Sequence, residues 1–325
     1  MGVRAMSSKE FTGKNVLIAG GSGLIGRQLI DLLIEEGALV SVADIRKPDS
    51  EFLEKVTFNK LDLTNYENCV IACSNMDYVF NLLCVKGSPK VMKERPASYF
   101  VPQILFNTNL LEAAHKCGVK KYLYTSSVGV YHPAELLKED DVWKTFPSPN
   151  DVFAGWAKRM GELQTRAYKI QYGWNDISIV RPANTYGPFD DFDSDAAMVV
   201  PSLVKKAFLS KDKLEVWGDG TDIRDFIHCK DVARGILLVM KKSPGPDFPI
   251  NLGSGTGYSI KELADTIIKN IDKDLEISWK ENSVTGDKRR VFDTTRAESI
   301  GFKPEISLDA GIKDLIEWYK RHENF

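Results

Sequence analysis

Asn15-Val16-Leu17-Ile18-Ala19-Gly20-Gly21-Ser22-Gly23-Leu24-Ile25-Gly26 decides how the rest of the chain is read. The first five residues are a short apolar run with β-branched members, which predicts a buried strand. The glycine-rich turn follows at once. Leu24, Ile25, Leu29, Leu32 and Leu33 then recur at helical spacing, and Gly37 supplies a stop. A second apolar run, Leu39-Val40-Ser41-Val42-Ala43, ends at Asp44. A strand, a glycine turn, a helix and an acid about twenty residues on form the context that a dinucleotide site requires. Gly20 permits the tight turn, Gly23 lets backbone approach a pyrophosphate, and Gly26 lets helix and strand pack closely. The turn over Ser22, Gly23, Leu24 and Ile25 then presents free helix N–H groups to the phosphates. Asp44 suits the adenosine ribose hydroxyls and repels a 2′-phosphate, which favours NAD over NADP; Arg46 and Lys47 pull the other way. A glycine turn without a ligand is the alternative.

Working outward, the alternation continues. Val56-Thr57-Phe58 predicts a third strand, leading to Asp62-Leu63, where an acid can meet the adenine amino group. Tyr78-Val79-Phe80-Asn81-Leu82, running into Leu83, predicts a fourth. A helix over Leu105 to Lys116 precedes the fifth, Lys121-Tyr122-Leu123-Tyr124-Thr125, and Ile177-Ser178-Ile179-Val180 is the sixth. Strands alternating with helices predict an α/β fold, a Rossmann-type doubly wound parallel sheet. Ligands in such sheets sit beyond the strand carboxyl ends. Ser126-Ser127 and Arg181-Pro182-Ala183-Asn184 both fall on that edge. The second half is less regular. It predicts helices over Leu203 to Leu209, over Ser259 to Ile271 with Ser259 as N-cap, and through Leu308, Ile312, Leu315, Ile316 and Tyr319. The expected organisation is a NAD-binding domain over residues 1–183, with a return excursion near 222–248. A smaller α/β substrate-binding domain, interleaved with it, covers mainly 184–325.

Composition narrows the function classes. The chain has 325 residues, 43% of them hydrophobic and 27% charged, with net charge -2, so bulk charge points to neither nucleic acid nor an anionic membrane. Five cysteines are an odd count without paired metal spacing. Cys69-x-x-x-Cys73 on a helix is a conceivable metal pair, but buried thiols in a reducing, cytoplasmic compartment are the expectation. No apolar run approaches the roughly 20 residues of a membrane span, and no signal-peptide core precedes the fold signal near Gly13. Asp190-Asp191-Phe192-Asp193-Ser194-Asp195 lacks the spacing of an EF-hand and is expected to be a solvated loop at a cleft rim, so no metal is expected.

These motifs, taken together, resemble the extended short-chain dehydrogenase/reductase family, in its NAD-dependent sugar-nucleotide epimerase/dehydratase branch. The resemblance runs through the glycine turn and Asp62-Leu63 to Ser126-Ser127-Val128-Gly129-Val130-Tyr131 and Ala157-Lys158-Arg159-Met160-Gly161-Glu162. It continues over Arg181 to Pro188, Val216-Trp217-Gly218-Asp219-Gly220, Arg224-Asp225-Phe226-Ile227-His228, Asn251 to Gly255, and Gly286-Asp287-Lys288-Arg289-Arg290. It implies that Ser127 is the active-site serine. It implies that Lys158 binds the nicotinamide ribose and lowers the pKa of a neighbouring tyrosine. Asn184, Val200, Trp217, Arg224 and Arg289 are implied to contact the sugar-nucleotide, the arginines because a guanidinium offers a fixed fork of donors to a diphosphate. Phe226 is a further candidate beside the base, and His132 and His228 read as a loop residue and a structural residue. A likeness to GDP-fucose synthases over residues 184–205 implies a GDP-sugar, and the family implies a homodimer through the helix bearing Lys158 and the one before Ser127.

Three departures from the pattern stand out. Where dehydratases of the branch carry Asp-Glu after the serine or threonine, this chain has Val128 and Gly129, which cannot titrate. Where GDP-fucose synthases carry a cysteine and a histidine for 3,5-epimerisation, it has Gly129 and Phe189. Chemistry at one sugar carbon, C4 by expectation, is what remains: epimerisation, or net oxidation or reduction by hydride transfer. An NAD(P)H-dependent 4-keto-sugar reductase and a dinucleotide-binding sensor or scaffold are the alternatives. The third departure is Ala154, four residues before Lys158, where the family carries the tyrosine that moves the proton. The expected explanation is an inactivated form of a working enzyme. The other is a homologue that binds without turnover or recruits another base.

Overall fold

The computed structural model describes residues 10–85, 87, 89–193, 196–242, 245–280 and 286–322. The N-terminal residues 1–9, and Ser194 and Asp195 of the acidic stretch, lie outside them. Thirteen strands are described: β1 Asn15–Ala19, β2 Leu39–Asp44, β3 Thr57–Lys60, β4 Tyr78–Asn81, β5 Lys121–Thr125, β6 Ile177–Pro182, β7 Asn184–Tyr186, β8 Lys213–Trp217, β9 Ile223–His228, β10 Ile250–Leu252, β11 Gly257–Ser259, β12 Glu276–Lys280 and β13 Arg289–Arg290. Seven of them form one parallel sheet in the order β10-β6-β5-β4-β1-β2-β3. The order reverses beside β1. All carboxyl ends therefore open on one edge, with a crevice at the reversal.

Both faces of this sheet are covered, which is why β1, β4, β5 and β6 read as apolar runs and not as alternating strands. On one face Val16, Ile18, Phe80, Leu123 and Val180 meet Leu29, Ile30 and Leu33 of the Leu24–Glu35 helix and Val232, Ile236 and Val239 of the Cys229–Lys242 helix. On the other face Leu17, Val79, Tyr122 and Ile179 meet Cys69 and Cys73 of the Tyr66–Cys73 helix and Phe106, Leu110 and Leu111 of the Pro96–Lys116 helix. Cys69 and Cys73 are buried free thiols; burial pushes the Cys69 pKa up to about 12, and that of Cys73 higher still.

Beyond residue 183 the chain builds a second layer. In it β9 pairs with β7, β11 and β13, and β8 pairs with β12. The helices Val199–Leu209, Ile260–Ile271 and Leu308–His322 pack around Tyr186, Leu214, Val216 and Phe226 as a separate core. Ser259 closes a capping box with Glu262, which fixes where the Ile260–Ile271 helix begins. The chain returns to the main sheet through the Cys229–Lys242 helix and β10. The acidic stretch turns at Phe189, which adopts a left-handed backbone (φ 68°), and its ring packs on Trp318 and beneath the Arg27 guanidinium. Phe189 therefore stands where a titrating histidine was the family pattern, and it serves as a packing residue. His228 is fully buried against Asp314, on β9.

Candidate active site

The glycine turn is shaped by contact as well as by conformation. Gly20 has a left-handed φ of 78°, and a Cβ there would lie 3.2 Å from the Leu82 and Leu83 backbone. A Cβ at Gly26 would lie 2.5 Å from the Gly21 carbonyl oxygen, so only glycine lets the helix start this close to the turn. At Gly23 the nearest atoms to such a Cβ are 3.8 and 3.9 Å away, leaving space above the backbone. Gly23 is also the N-cap of the Leu24–Glu35 helix, which has no side-chain cap, so its first-turn amides remain available to an anion. Asp44 ends β2 and is buried; its two oxygens accept from the amides of Ser22 (3.1 Å) and Arg46 (3.0 Å), which ties the glycine turn to the end of β2. The Ser22 hydroxyl donates to the Arg46 carbonyl at 3.2 Å. Asp62 is exposed just past β3, where Oδ1 takes the Thr64 amide and hydroxyl, and Leu63 beside it is buried. A cradle without side chains, unshared helix amides and an acid at the next strand end fit a dinucleotide. Gly20, Ser22, Gly23, Leu24, Ile25, Gly26, Asp44, Arg46, Asp62 and Leu63 are thus grouped along one edge.

The next two strand ends bring Ser127 and Lys158 together. Lys158 lies on the long Val152–Tyr172 helix and is 2% exposed. Its ammonium donates to the carbonyls of Thr125 (2.8 Å) and Leu83 (3.1 Å), the ends of β5 and β4. Burial pushes its pKa down, while Cys84 and Glu162 pull it back up. Ser127 follows β5, and its oxygen accepts the Gly129 amide at 3.1 Å, which leaves its own proton for another acceptor. Gly155 explains how close the helix comes: a Cβ there would overlap the Gly129 carbonyl oxygen and lie 2.6 Å from Pro147. Ala154 sits between, partly buried, one turn before Lys158 on the same helix face.

A buried ion pair holds this arrangement. Arg181 at the end of β6 donates from Nε and Nη2 to the Glu162 carboxylate at 2.8 and 2.7 Å, and both side chains are inaccessible to solvent. Ser126 donates to the same carboxylate at 2.5 Å, and Arg181 Nη1 donates to Tyr131 and to the Glu139 carbonyl, each at 3.0 Å. The residue before Ser127 and the residue one turn after Lys158 are therefore fixed to one another.

The sugar-nucleotide candidates divide. Asn184 on β7 donates to the Asp225 carbonyl at 3.0 Å. Arg224 on β9 is paired with Asp222 at 3.4 Å; burial, and then Arg290 beside it, hold its pKa below the usual value. Arg289 is a third exposed and reaches across to Glu135. Arg289 and Arg290 line a narrow cleft with Val128, Tyr131, His132 and Asp287, next to the Ser127 turn. Trp217 is half exposed under Lys206 on β8, and Val200 is buried in the second core, so the structure does not group these two with the rest. Phe226 is likewise a core residue.

Sequence reasoning missed a polar bridge across this cleft. Arg290 pairs with Asp151 at the start of the Lys158 helix and with Asp287 at 2.8 Å. Asp287 in turn accepts from Ser148 (2.5 Å) and Asn150 (2.8 Å). The charge pattern in Asp287-Lys288-Arg289-Arg290 was visible, but its partners lie far away in the chain.

Comparisons with known proteins agree with this geometry. Residues 16–253 match the NAD dependent epimerase/dehydratase family. GDP-L-fucose synthase of Sinorhizobium fredii is 30% identical over 311 residues, covering 94% of this chain and 95% of the relative. The dTDP-4-dehydro-6-deoxy-D-allose reductase of a Streptomyces species is 27% identical over 98% of this chain and 100% of the relative. Among solved structures, UDP-glucose 4-epimerase of Thermotoga maritima superimposes with a TM-score of 0.84 at 27% identity, over 94% of this chain and 99% of that one.

Proposed function

The chain belongs to the NAD dependent epimerase/dehydratase family, and from that premise we propose that it modifies a GDP-sugar at a single sugar carbon, C4, by hydride transfer. NAD, when bound, supplies the hydride acceptor. The chain's own residues supply the rest. The Ser127 hydroxyl holds the substrate hydroxyl, and the buried Lys158 ammonium fixes the ribose beside it. Arg224 and Arg289 take the diphosphate, where a guanidinium fork matches two anionic oxygens. The observation that carries the reading is Lys158, a buried cation spanning the ends of β4 and β5 beside the Ser127 turn. A purely structural helix has no need of such a charge, since burying it is costly. The likeness to GDP-L-fucose synthase supports the guanine nucleotide.

Ala154 makes the chain a slowed form of this enzyme, because alanine carries no proton to exchange. Ala154→Tyr is expected to raise turnover by about 10²–10⁴, the usual contribution of a positioned acid–base group. The assay offers the NAD-loaded protein GDP-, UDP-, CDP- and dTDP-sugars in turn. An epimerase retains its NAD, and a reductase consumes NAD(P)H. A restored protein that binds NAD and a nucleotide-sugar yet stays inert would falsify the reading.

The same reading includes a cytoplasmic homodimer. Val101 and Leu105 of the Pro96–Lys116 helix and Phe153, Met160 and Leu163 of the Val152–Tyr172 helix are exposed large apolar residues on two packed helices. A stripe of this kind fits the same pair of helices on a second copy. Light scattering at micromolar protein measures it, and a monomeric mass removes this part of the proposal. Among the described residues, no helix is long and apolar enough to cross a membrane.

A further inference from the structure

We propose that Asp151 stands in for the missing phenol as the final acceptor of the substrate's proton, reached through the Ser127 hydroxyl. The inference rests on the function proposed above. It chooses recruitment of another base over simple loss of one.

Three observations carry it. The first is place. A point at the Cβ position of Gly129 lies 3.6 Å from Ser127 Oγ, 3.6 Å from Asp151 Cβ and 3.7 Å from Asp151 Cγ, so the serine hydroxyl and the aspartate flank the same spot. Asp151 also lies along the helix face that carries Ala154 and Lys158, three and seven residues on. The second is orientation. Aspartate at an N-cap ordinarily accepts a first-turn amide, worth about 1 kcal/mol. Asp151 occupies the N-cap of the Val152–Tyr172 helix and makes no such bond; its carboxylate faces Arg290 across the cleft instead. The third is charge. Arg290 is shared between Asp151 and Asp287, so one guanidinium meets two carboxylates and neutralises only one of them. Arg224, a second cation near this group, is itself paired with Asp222. Two carboxylates on one guanidinium carry a net negative charge, and Asp151 is one-seventh exposed.

The step balances. The substrate O–H bond breaks as its carbon yields hydride, with both electrons, to the oxidised nicotinamide. The proton passes to Ser127 Oγ, the serine's own proton passes through one intervening water to an Asp151 oxygen, and the substrate is left as a ketone. The reverse direction returns each proton. The Gly129 amide on Ser127 Oγ leaves the hydroxyl proton free for this relay.

The test combines two substitutions in the NAD-loaded protein with the nucleotide-sugar that Ala154→Tyr turns over. The unaltered chain is expected to turn over slowly. Asp151→Asn is expected to lower that rate at least about a hundredfold, the lower end for a lost acid–base group. Calorimetry should still show NAD and nucleotide-sugar binding. Adding Ala154→Tyr to Asp151→Asn should rescue turnover, which a residue needed only to hold the domains together would not allow. If Asp151→Asn does not fold, turnover of the unaltered chain in mixtures of H2O and D2O decides. A relay through Ser127 should show more than one proton in flight; a single proton in flight overturns it. Asp151→Asn retaining turnover within a few-fold overturns it too. So does an unaltered chain that is inert while Ala154→Tyr is active, although the proposed function then stands. Absence of nucleotide-sugar binding in every variant removes the proposed function itself.

Discussion

Replacing Glu162 by glutamine tests whether the buried ion pair holds the reacting edge together. The substitution keeps the side-chain volume, so no cavity opens, and what changes is charge and hydrogen-bonding sense. Glu162 accepts three donors at 2.5–2.8 Å, from Ser126 Oγ and from Arg181 Nε and Nη2. A carboxamide offers one acceptor oxygen and turns the other position into a donor. In one rotamer the NH₂ group faces Arg181 Nη2; in the other it faces both Ser126 and Arg181 Nε. Either way an arginine with no exposed surface loses its counter-charge. Removing one partner of a buried pair costs about 3–5 kcal/mol. At roughly 2 °C per kcal/mol for a chain of this size, the melting point should fall by about 6–10 °C. Urea unfolding of Glu162→Gln beside the unaltered protein measures the free energy directly. The double variant Glu162→Leu with Arg181→Met should recover most of the loss, since removing both charges abolishes the desolvation cost as well. A loss below about 1 kcal/mol for Glu162→Gln, where a broken buried pair should cost several, would mean that Tyr131 and the Glu139 carbonyl already satisfy Arg181.

Two further outcomes follow from particular contacts. Gly155→Ala places a methyl group on the Gly129 carbonyl and should cost about 1–3 kcal/mol by overpacking. It should also lower turnover of the Ala154→Tyr protein while leaving NAD affinity intact, and thermal unfolding without a shift would show that the helix start has room to move. Asp314 is held at a pKa of about 2, first by the His228 Nε2 that approaches it at 3.3 Å and then by Lys230. A depressed carboxylate contributes stability above its unfolded value of about 3.9 and loses it as pH falls toward the folded value. Asp314→Asn should therefore cost at most about 2.6 kcal/mol near pH 7, with the difference from the unaltered protein closing between about pH 4 and pH 2. A difference that persists unchanged at pH 2 would rule out this linkage.

The fold was legible where burial is symmetric. Strands covered on both faces have no choice but to be apolar, so β1, β2, β4, β5 and β6 stand out as runs, and the glycine turn fixes what lies between the first two. β10 escaped notice because three residues carry no periodicity; its place beside β6 is set by the Cys229–Lys242 helix that precedes it. β7, β11 and β13 are equally short, and they pair with β9 through contacts distant in the chain. The helix expected from Leu105 begins at Pro96 instead. Proline is well tolerated in a first turn, and Pro102 further on hid the periodicity that would have extended the prediction.

The site was legible only in the side chains that follow a strand end directly. Ser127 and Lys158 were singled out by the family resemblance, and the structure sets them close together, one two residues past β5 and the other on the Val152–Tyr172 helix with its ammonium on the Thr125 carbonyl. Arg181 is near the end of β6, but its full burial against Glu162 could not be read from an Arg-Pro pair. The bridge from Arg290 to Asp151 joins residues 139 apart and has no local signature at all. This has a consequence for Ala154. Lys158 is held by two strand-end carbonyls, the Ser127 turn by the Gly155 contact, and Ser126 by Glu162. None of these contacts involves the side chain at position 154. An intact Ser127–Lys158 arrangement is therefore what the scaffold delivers with or without a phenol, and by itself it says nothing about turnover. Asp151 is different. Its carboxylate forgoes the helix cap that would stabilise it locally, and its position beside the Ser127 turn is maintained by Arg290 on β13. That placement, and not the Ser127–Lys158 arrangement, is what comparing Asp151→Asn with the unaltered chain tests.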